Sequence, residues 1–246
     1  MLKLLKYDFR RNRDLFAVAL VITVLLQAGI WISAEISDWN PAVHLVASVM
    51  TYAVVGLLLL IQCCRTYDFN FKAYHRMLLP VQQSYKVLSP LLLFLLLLLG
   101  LTALGGVHLG LYTLLGDHPL PANFWPVAVQ MQLQLIWSAC YILIYIMLAI
   151  TVALSVRFKG REWIGIATFI AVDSGFSLFV RAVLGPDSDA TGSVFQIEFS
   201  EMSVSSGGAV SFTREAYHLL PTLMEMGFAV LLIYIITLLV KRRVEA

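Results

Sequence analysis

Six long apolar stretches divide the chain, and short polar or charged segments separate them. A helix needs about 20 mostly apolar residues to cross a bilayer. We place the spans at 15–33, 43–64, 87–115, 127–156, 163–184 and 219–240. The third and fourth are longer than a bilayer requires, so we expect them to tilt, kink or project into the cytoplasm. The predicted fold is an all-α polytopic membrane protein, a single transmembrane domain over residues 1–246.

Basic residues fall almost entirely on one side of this pattern. Fifteen of the seventeen Lys and Arg residues lie in the segments 3–13, 65–86, 157–161 and 241–243. Short basic segments are retained on the cytoplasmic side of a membrane, so both chain ends are predicted to be cytoplasmic. Membrane anchoring accounts for segments of this kind, and no nucleic-acid partner is predicted. At 60% hydrophobic and 13% charged residues, the composition excludes an ordinary water-soluble domain.

The first fourteen residues form an amphipathic pattern. On a helix, Leu2, Leu5 and Phe9 share one face, and the Lys and Arg side chains lie largely on the other. This pattern favours an interfacial helix in the inner headgroup layer, after which the chain turns into the first span. The alternative is a basic flank without further structure. The first hydrophobic run is longer than that of a signal peptide, so we expect it to be retained.

The segment 65–86, between the second and third spans, has a different character. Tyr67, Phe71, Tyr74 and Leu78 recur at helical spacing. This spacing predicts a short amphipathic cytoplasmic helix that ends before Pro80.

The longest external segment is the outer loop 185–218. Its residues alternate loosely around Gly207-Gly208, which indicates a small hairpin. A helix at the lipid surface over part of the loop is an equal alternative.

Three ionisable residues inside the spans are candidates for function, because charged groups are costly in lipid. We expect Arg181 and Glu225 to pair between the fifth and sixth spans, since each would offset the charge of the other. Asp173, near the middle of the fifth span, has no obvious partner at its depth. It is either protonated and hydrogen-bonded to Ser174 or Ser177, or it lines a polar cavity at an oligomer interface.

Other polar and small residues have structural interpretations. The histidines at 44, 108 and 218 lie in different parts of the chain without metal-ligand spacing, which favours a structural role. Two small-residue motifs permit close helix contact, and they are Gly106-x-x-x-Gly110 and Ala171-x-x-x-Gly175.

Motifs of soluble enzymes are missing from the sequence. It contains no G-x-x-x-x-G-K-[ST], no H-E-x-x-H and no G-x-S-x-G. The chain is therefore not expected to hydrolyse ATP by itself, and we assign it no catalytic residue, cofactor or metal ligand.

The stretch 76–91, Arg-Met-Leu-Leu-Pro-Val-Gln-Gln-Ser-Tyr-Lys-Val-Leu-Ser-Pro-Leu, resembles a pattern in permease subunits of the ABC-2 exporter family. Those permeases have a leucine-rich turn with Pro, Val or Ile, Ser and Arg, followed by a lysine at the start of the third span. Here Leu78, Pro80, Val81 and Lys86 match, whereas glutamines at 82 and 83 replace the usual Ser and Arg. The six spans, the basic entry segment and the long last outer loop agree with the family's general plan.

The resemblance implies a membrane subunit that works with a separate ATP-binding subunit, two of each per transporter. The second membrane subunit is another copy or a homologous permease, and the ATP-binding subunits hold ATP and Mg²⁺. The transporter would lie in the cell membrane and export an amphipathic or hydrophobic substrate. The entry segment and the inner loop would contact the ATPase through Tyr67, Phe71, Tyr74, His75 and Arg76, with Tyr7, Phe9 and Arg10 as further candidates.

Two other classes of function remain open at this point. One is an intramembrane enzyme that uses Asp173, Glu225 and a histidine. The other is a membrane scaffold or sensor that transports nothing and uses loop 185–218 as its receptor face.

Overall fold

Long helices account for nearly all of the structure. The computed structural model describes residues 2–37, 39, 41–72, 83–115, 124–156, 160–184, 202–204, 210–212 and 219–245. The elements in chain order are α1 (Leu2–Ile36), α2 (Pro41–Lys72), α3 (Gln83–Leu115), α4 (Phe124–Ser155), α5 (Arg161–Leu184), β1 (Met202–Val204), β2 (Val210–Phe212) and α6 (Leu219–Glu245).

Each of the six helices is long and apolar enough to cross a membrane. The segments concerned are Leu4–Ile36, Val46–Asn70, Ser84–Leu114, Ala128–Ser155, Arg161–Leu184 and Thr222–Arg242. The predicted all-α polytopic membrane fold is therefore confirmed. At 35 residues, α1 is about 50 Å long, against a hydrocarbon thickness of about 30 Å. The excess length gives such a helix room to continue beyond the lipid.

The entry segment is not a separate helix that turns into the first span, as we had predicted from the sequence. It is helical, but α1 continues without a break from Leu2 to Ile36. The chain has neither Gly nor Pro between Leu2 and Ala28, so nothing in the sequence interrupts the helix there. The entry segment and the first span therefore form one continuous helix.

The predicted amphipathic helix of the inner loop is also partly wrong. Tyr67 and Phe71 belong to α2, which continues to Lys72, because no proline interrupts the chain between Ala42 and that residue. The rest of the predicted helix lies in 73–82, outside the described residues.

The chain divides into two compact units. In the first unit, Met1–Gly110, α1 packs against α2. Its apolar core contains side chains from α2 and α3, among them Val55, Leu59, Leu93, Phe94 and Leu98. Buried polar side chains lie on both sides of this apolar layer along the helices.

In the second unit, Leu111–Ala246, α4 packs against both α5 and α6. The two helices α4 and α5 approach closely at Gly165. A Cβ atom added there would lie 3.2 Å from the backbone oxygen of Ala149 and 3.3 Å from the Cβ of Ala153. Any larger residue would have to push the two helices apart by a few tenths of an ångström.

The small-residue motifs chosen from the sequence are not where these helices pack closely. A Cβ atom added at Gly106, Gly110 or Gly175 would have no contact within 4 Å. Small residues permit close contact, but a sequence does not indicate which of them face another helix.

The external hairpin is confirmed. β1 and β2 pair antiparallel, with Ser203 opposite Ser211 and Val204 opposite Val210. Gly207-Gly208 falls between the two strands, where the alternation predicted the turn. The alternative of a lipid-level helix is wrong for these two segments.

Candidate functional site

The first unit contains a buried hydrogen-bond network where α1, α2 and α3 begin or end on the predicted cytoplasmic side. Asp8 is fully buried, and the hydroxyl of Ser89 on α3 donates to its Oδ2 at 3.0 Å. Asn12, one turn further along α1, donates from Nδ2 to Thr66 Oγ1 on α2 at 3.1 Å. Gln62 Nε2 donates to Asn12 Oδ1 at 3.0 Å. We call these residues the inner network.

Lys86 adds a positive charge beside this network. It is buried and precedes Ser89 by three residues, so the two side chains start from the same face of α3. Asp8 and Lys86 are thus groups of opposite charge that have both been removed from solvent. Burying charges of this kind is unfavourable unless other polar groups compensate for it. The polar side chains of the inner network are groups of that kind.

The candidate ATPase-contacting residues differ in exposure. Tyr7 and Phe9 are 54% and 46% exposed, and Arg10 is also exposed. Tyr67 is fully buried, so its prediction as a contact residue is wrong: it faces the interior of the unit from within α2. The backbone of Phe71 is helical, but its side chain is outside the described set, as are the whole residues Tyr74, His75 and Arg76.

An aromatic and basic surface extends from the entry segment onto α2. The guanidinium carbon of Arg11 lies 4.4 Å from the centre of the Phe69 ring, a cation–π contact between α1 and α2. The rings of Phe9 and Phe16 lie 6.0 Å apart along α1.

A second polar cluster lies in the outer half of the first unit. Gln27 Nε2 donates to the backbone oxygen of Ser48 at 3.1 Å. The ring of His108 lies 6.0 Å from that of Trp31 and 6.1 Å from that of Tyr52. Gln27 Oε1, Ser48 Oγ and His108 Nε2 are buried without a hydrogen-bond partner among the described residues.

His44 and His108 lie in different spans of the first unit, and the Nε2 atom of each is buried. In the part of the chain that the structure describes, however, no three His, Cys, Asp or Glu side chains are grouped so that they could hold a metal ion.

The second unit is built around a column of aromatic rings on α4. Trp137, Tyr141 and Tyr145 follow one another at intervals of four residues, and neighbouring ring centres are 6.1 and 4.9 Å apart. The hydroxyl of Tyr145 donates to that of Tyr141 at 3.2 Å. We call these three residues the aromatic column.

Rings from α5 and α6 surround the aromatic column. Phe176 of α5 and Phe228 of α6 are stacked, with centres 4.3 Å apart. Phe176 also meets Tyr141 at 6.3 Å, and Phe169 meets Tyr145 at 5.8 Å.

Both acidic candidates of the sequence lie beside the aromatic column. Glu225 Oε2 accepts a hydrogen bond from Trp137 Nε1 at 3.0 Å. Asp173 lies four residues after Phe169 and three before Phe176, so it shares the face of α5 whose rings contact Tyr145 and Tyr141. Asp173 Oδ1 is buried without a hydrogen-bond partner among the described residues, so the expected bond to Ser174 or Ser177 is absent at this atom.

The predicted ion pair between Arg181 and Glu225 is wrong. No ion pair joins them in the described structure, and Glu225 faces α4 instead. Arg181 follows Phe176 by five residues, which on a helix places it about 140° around from the ring that faces α6. Its side chain is exposed and long enough to extend toward the outer headgroups.

We expect substitutions of Glu225 to affect stability through Trp137 and not through Arg181. Glu225→Gln retains an oxygen that accepts from the indole N–H, so stability should change little. Glu225→Leu leaves that N–H without an acceptor and should cost about 1–2 kcal/mol of unfolding free energy. Thermal unfolding in detergent measures both.

The double charge reversal Arg181→Glu with Glu225→Arg provides the control. It should be no more stable than Glu225→Arg alone. A rescue by the double reversal would contradict the arrangement described above.

The inner network was missed in the sequence, although its spacing was visible there. Gln62, Thr66 and Asn70 form a polar stripe at intervals of four residues on α2, and Asp8 and Asn12 have the same interval on α1. The surrounding basic residues hid this signal, because a polar residue near a span end is ordinarily attributed to the interface.

Comparison of the chain with protein-family models, curated proteins and solved structures finds no match.

Proposed function

We propose that this chain is the membrane subunit of an ABC exporter in the cell membrane, and that a separate ATP-binding subunit drives it. ATP and Mg²⁺ are held by that partner, and a second copy of the chain or a homologous permease completes the transporter. The observation that carries the proposal is the inner network, which joins α1, α2 and α3 beside an exposed aromatic and basic segment.

A membrane subunit that is driven by a separate ATPase must receive motion at its cytoplasmic ends and pass it to the spans. The entry segment suits that task because it is continuous with the first span. Asn12 and Asp8 tie it to α2 and α3 through buried hydrogen bonds. A displacement of the exposed residues Tyr7, Phe9 and Arg10 would therefore move three spans together.

The inner loop is anchored at both ends by the helices of the network. α2 ends at Lys72, two residues after the buried Asn70. α3 begins at Gln83, three residues before the buried Lys86. Contact of an ATPase with 73–82 would thus act on the same buried groups. This loop and the lysine after it are also where the chain resembles the ABC-2 permeases.

The proposal is tested by co-purification with the ATP-binding subunit. The tagged full chain should retain its ATP-binding subunit when the two are co-expressed, and the amount retained should depend on nucleotide. The double variant Tyr74→Asp with Arg76→Glu should lose at least about nine-tenths of the ATPase, because one charge is introduced and another reversed at the contact. Immunoblotting of the purified complex measures the loss.

Arg242→Glu is the control, since it reverses an exposed charge in a different basic segment, at the end of α6. It should leave the ATPase bound. A photo-crosslinker at Tyr7 should reach the ATPase, whereas one at Trp39, on the opposite side of the first span, should not. Normal co-purification with the double variant would refute the proposed contact.

No observation favours the two alternative functions. Among the described residues, Glu225 is hydrogen-bonded to an indole, and neither acid bonds to a histidine, so no acid–base pair for an intramembrane enzyme is present there. The hairpin of the outer loop shows no feature that indicates a receptor face.

A further inference from the structure

The two carboxyl groups beside the aromatic column lack a cation in the described structure. Neither Asp173 nor Glu225 forms an ion pair there, although both lie within segments apolar enough to span the membrane. A carboxylate in such a place is unfavourable unless a proton or a positive charge accompanies it. Because the surrounding dielectric is low, their combined negative potential is poorly screened. Either protons on the carboxyl groups or a bound cation would balance the charge of this region.

The surfaces around these carboxyl groups suit an organic cation. Faces of Trp and Tyr attract cations through the ring quadrupole, most strongly when water is excluded. Trp137 and Tyr141 are stacked, and Phe176 and Phe228 are stacked opposite them. An inorganic cation would instead require several oxygen ligands. The two tyrosine hydroxyls are buried and bonded to each other, and no three His, Cys, Asp or Glu side chains among the described residues are grouped so that they could hold a metal ion.

The acidic side chains are accessible only in part, and most of the aromatic column is not accessible. Asp173, Glu225 and Trp137 are partly exposed, although Asp173 Oδ1 itself is buried, whereas Tyr141 and Tyr145 are buried. A ligand would therefore lie on the side of the column without entering a closed cavity.

The two carboxyl groups lie at different depths. Glu225 is three residues inside its membrane segment, which begins at Thr222, and Asp173 is eleven residues from the outer end of its own, Leu184. At a rise of about 1.5 Å per residue these offsets correspond to about 5 and 16 Å along the helices. One carboxyl group is thus near the outer headgroups and the other near the middle of the bilayer. A cation with an apolar body could pass from the deeper to the shallower group along the side of α5 and α6.

We propose that the aromatic column, together with Asp173 and Glu225, binds monovalent organic cations with apolar substituents. This rests on the proposed function, for which it names the substrate class: the exporter would take such cations from the membrane and release them on the outer side. The recognition combines the charge of the two carboxyl groups with contact to Trp137, the ring of the aromatic column that is partly exposed.

The probe for this site is tetraphenylphosphonium, a permanent cation with an apolar body. Tetraphenylborate, of the same shape and opposite charge, controls for partition into apolar surface. The purified full chain in lipid nanodiscs, without any ATPase, should bind tetraphenylphosphonium saturably in equilibrium dialysis and should not bind tetraphenylborate. The variant Asp173→Asn with Glu225→Gln removes both charges at nearly constant volume. It should weaken binding at least about tenfold, since it removes the carboxylates that attract the cation.

Glu162→Gln is the matched control, because it removes an exposed acid of the same helix, eleven residues before Asp173. It should bind tetraphenylphosphonium like the wild type. Size-exclusion chromatography verifies folding. If the double variant does not fold, the single variant Glu225→Gln takes its place in the binding test, since it retains the acceptor for Trp137. Unchanged binding by the charge-removed variant, absence of saturable binding by the wild type, or equal binding of tetraphenylborate would each overturn the proposal.

This test separates the site from the proposed function. Failure to bind tetraphenylphosphonium while the ATPase still co-purifies would refute the site and leave the transporter intact. Loss of the ATPase with retained cation binding would refute the proposed function and leave the cation site intact.

Discussion

Replacing Asn12 by leucine should lower the free energy of unfolding by about 2–4 kcal/mol, because three hydrogen bonds are lost at once. The side-chain amide of Asn12 contacts the backbone oxygen of Asp8, Thr66 Oγ1 and Gln62 Nε2, all at 3.0–3.1 Å. Two of these bonds connect α1 to α2. Leucine has the same branching and number of side-chain heavy atoms as asparagine, so it loses the hydrogen bonds while its shape stays close to that of the amide. Thermal unfolding of the purified chain in detergent, followed by size-exclusion chromatography, measures the effect.

Arg10→Gln is the control for this prediction. Arg10 lies two residues earlier on the same helix and is exposed, so its replacement should change stability by no more than about 0.5 kcal/mol. Equal stability of the two variants would show that the buried network does not support the unit. Asn12→Leu should also weaken retention of the ATPase if the inner network transmits motion as proposed.

Replacing Gly165 by leucine should destabilise the second unit by about 3 kcal/mol. Even the first atom of the new side chain would lie 3.2 Å from the backbone oxygen of Ala149. That oxygen belongs to a helix and cannot move without displacing α4, so the overpacking is not relieved by a rotamer change. Thermal unfolding measures the stability, and tetraphenylphosphonium binding shows whether the aromatic column is disturbed at the same time.

Gly175→Leu is a matched control on the same helix. A Cβ there has no neighbour within 4 Å, and leucine favours a helix more than glycine does. This variant should be at least as stable as the wild type. If both substitutions had equal effects, the close approach of α4 and α5 at Gly165 would be refuted.

The two units contribute differently to the proposed function. The first has a buried polar network near the predicted cytoplasmic side, where an ATPase would act. The second has two carboxyl groups beside an aromatic column within its membrane segments. In the proposed exporter the first receives motion and the second recognises the substrate.

The helices themselves were largely predictable from sequence. Six apolar runs were enough to place all six spans, because burial in lipid depends on composition over about 20 residues and not on particular contacts. Helix ends were predicted less well: α2 continues to Lys72 because no proline stops it. The hairpin near Gly207-Gly208 was predictable because alternation and turn residues are local signals.

Hydropathy and charge by themselves determined the class of protein, the number of spans and the expected orientation. They also identified Asp173, Arg181 and Glu225 as unusual, since a charge in an apolar span is visible without a structure. Only the tertiary structure decided which groups these residues meet. It replaced the expected Arg181 partner of Glu225 by Trp137, and it joined Asp8 to Ser89 across 81 residues of chain. The physical reason is that lipid selects for the average polarity of a helix, whereas a hydrogen bond depends on which face each helix turns toward its neighbour.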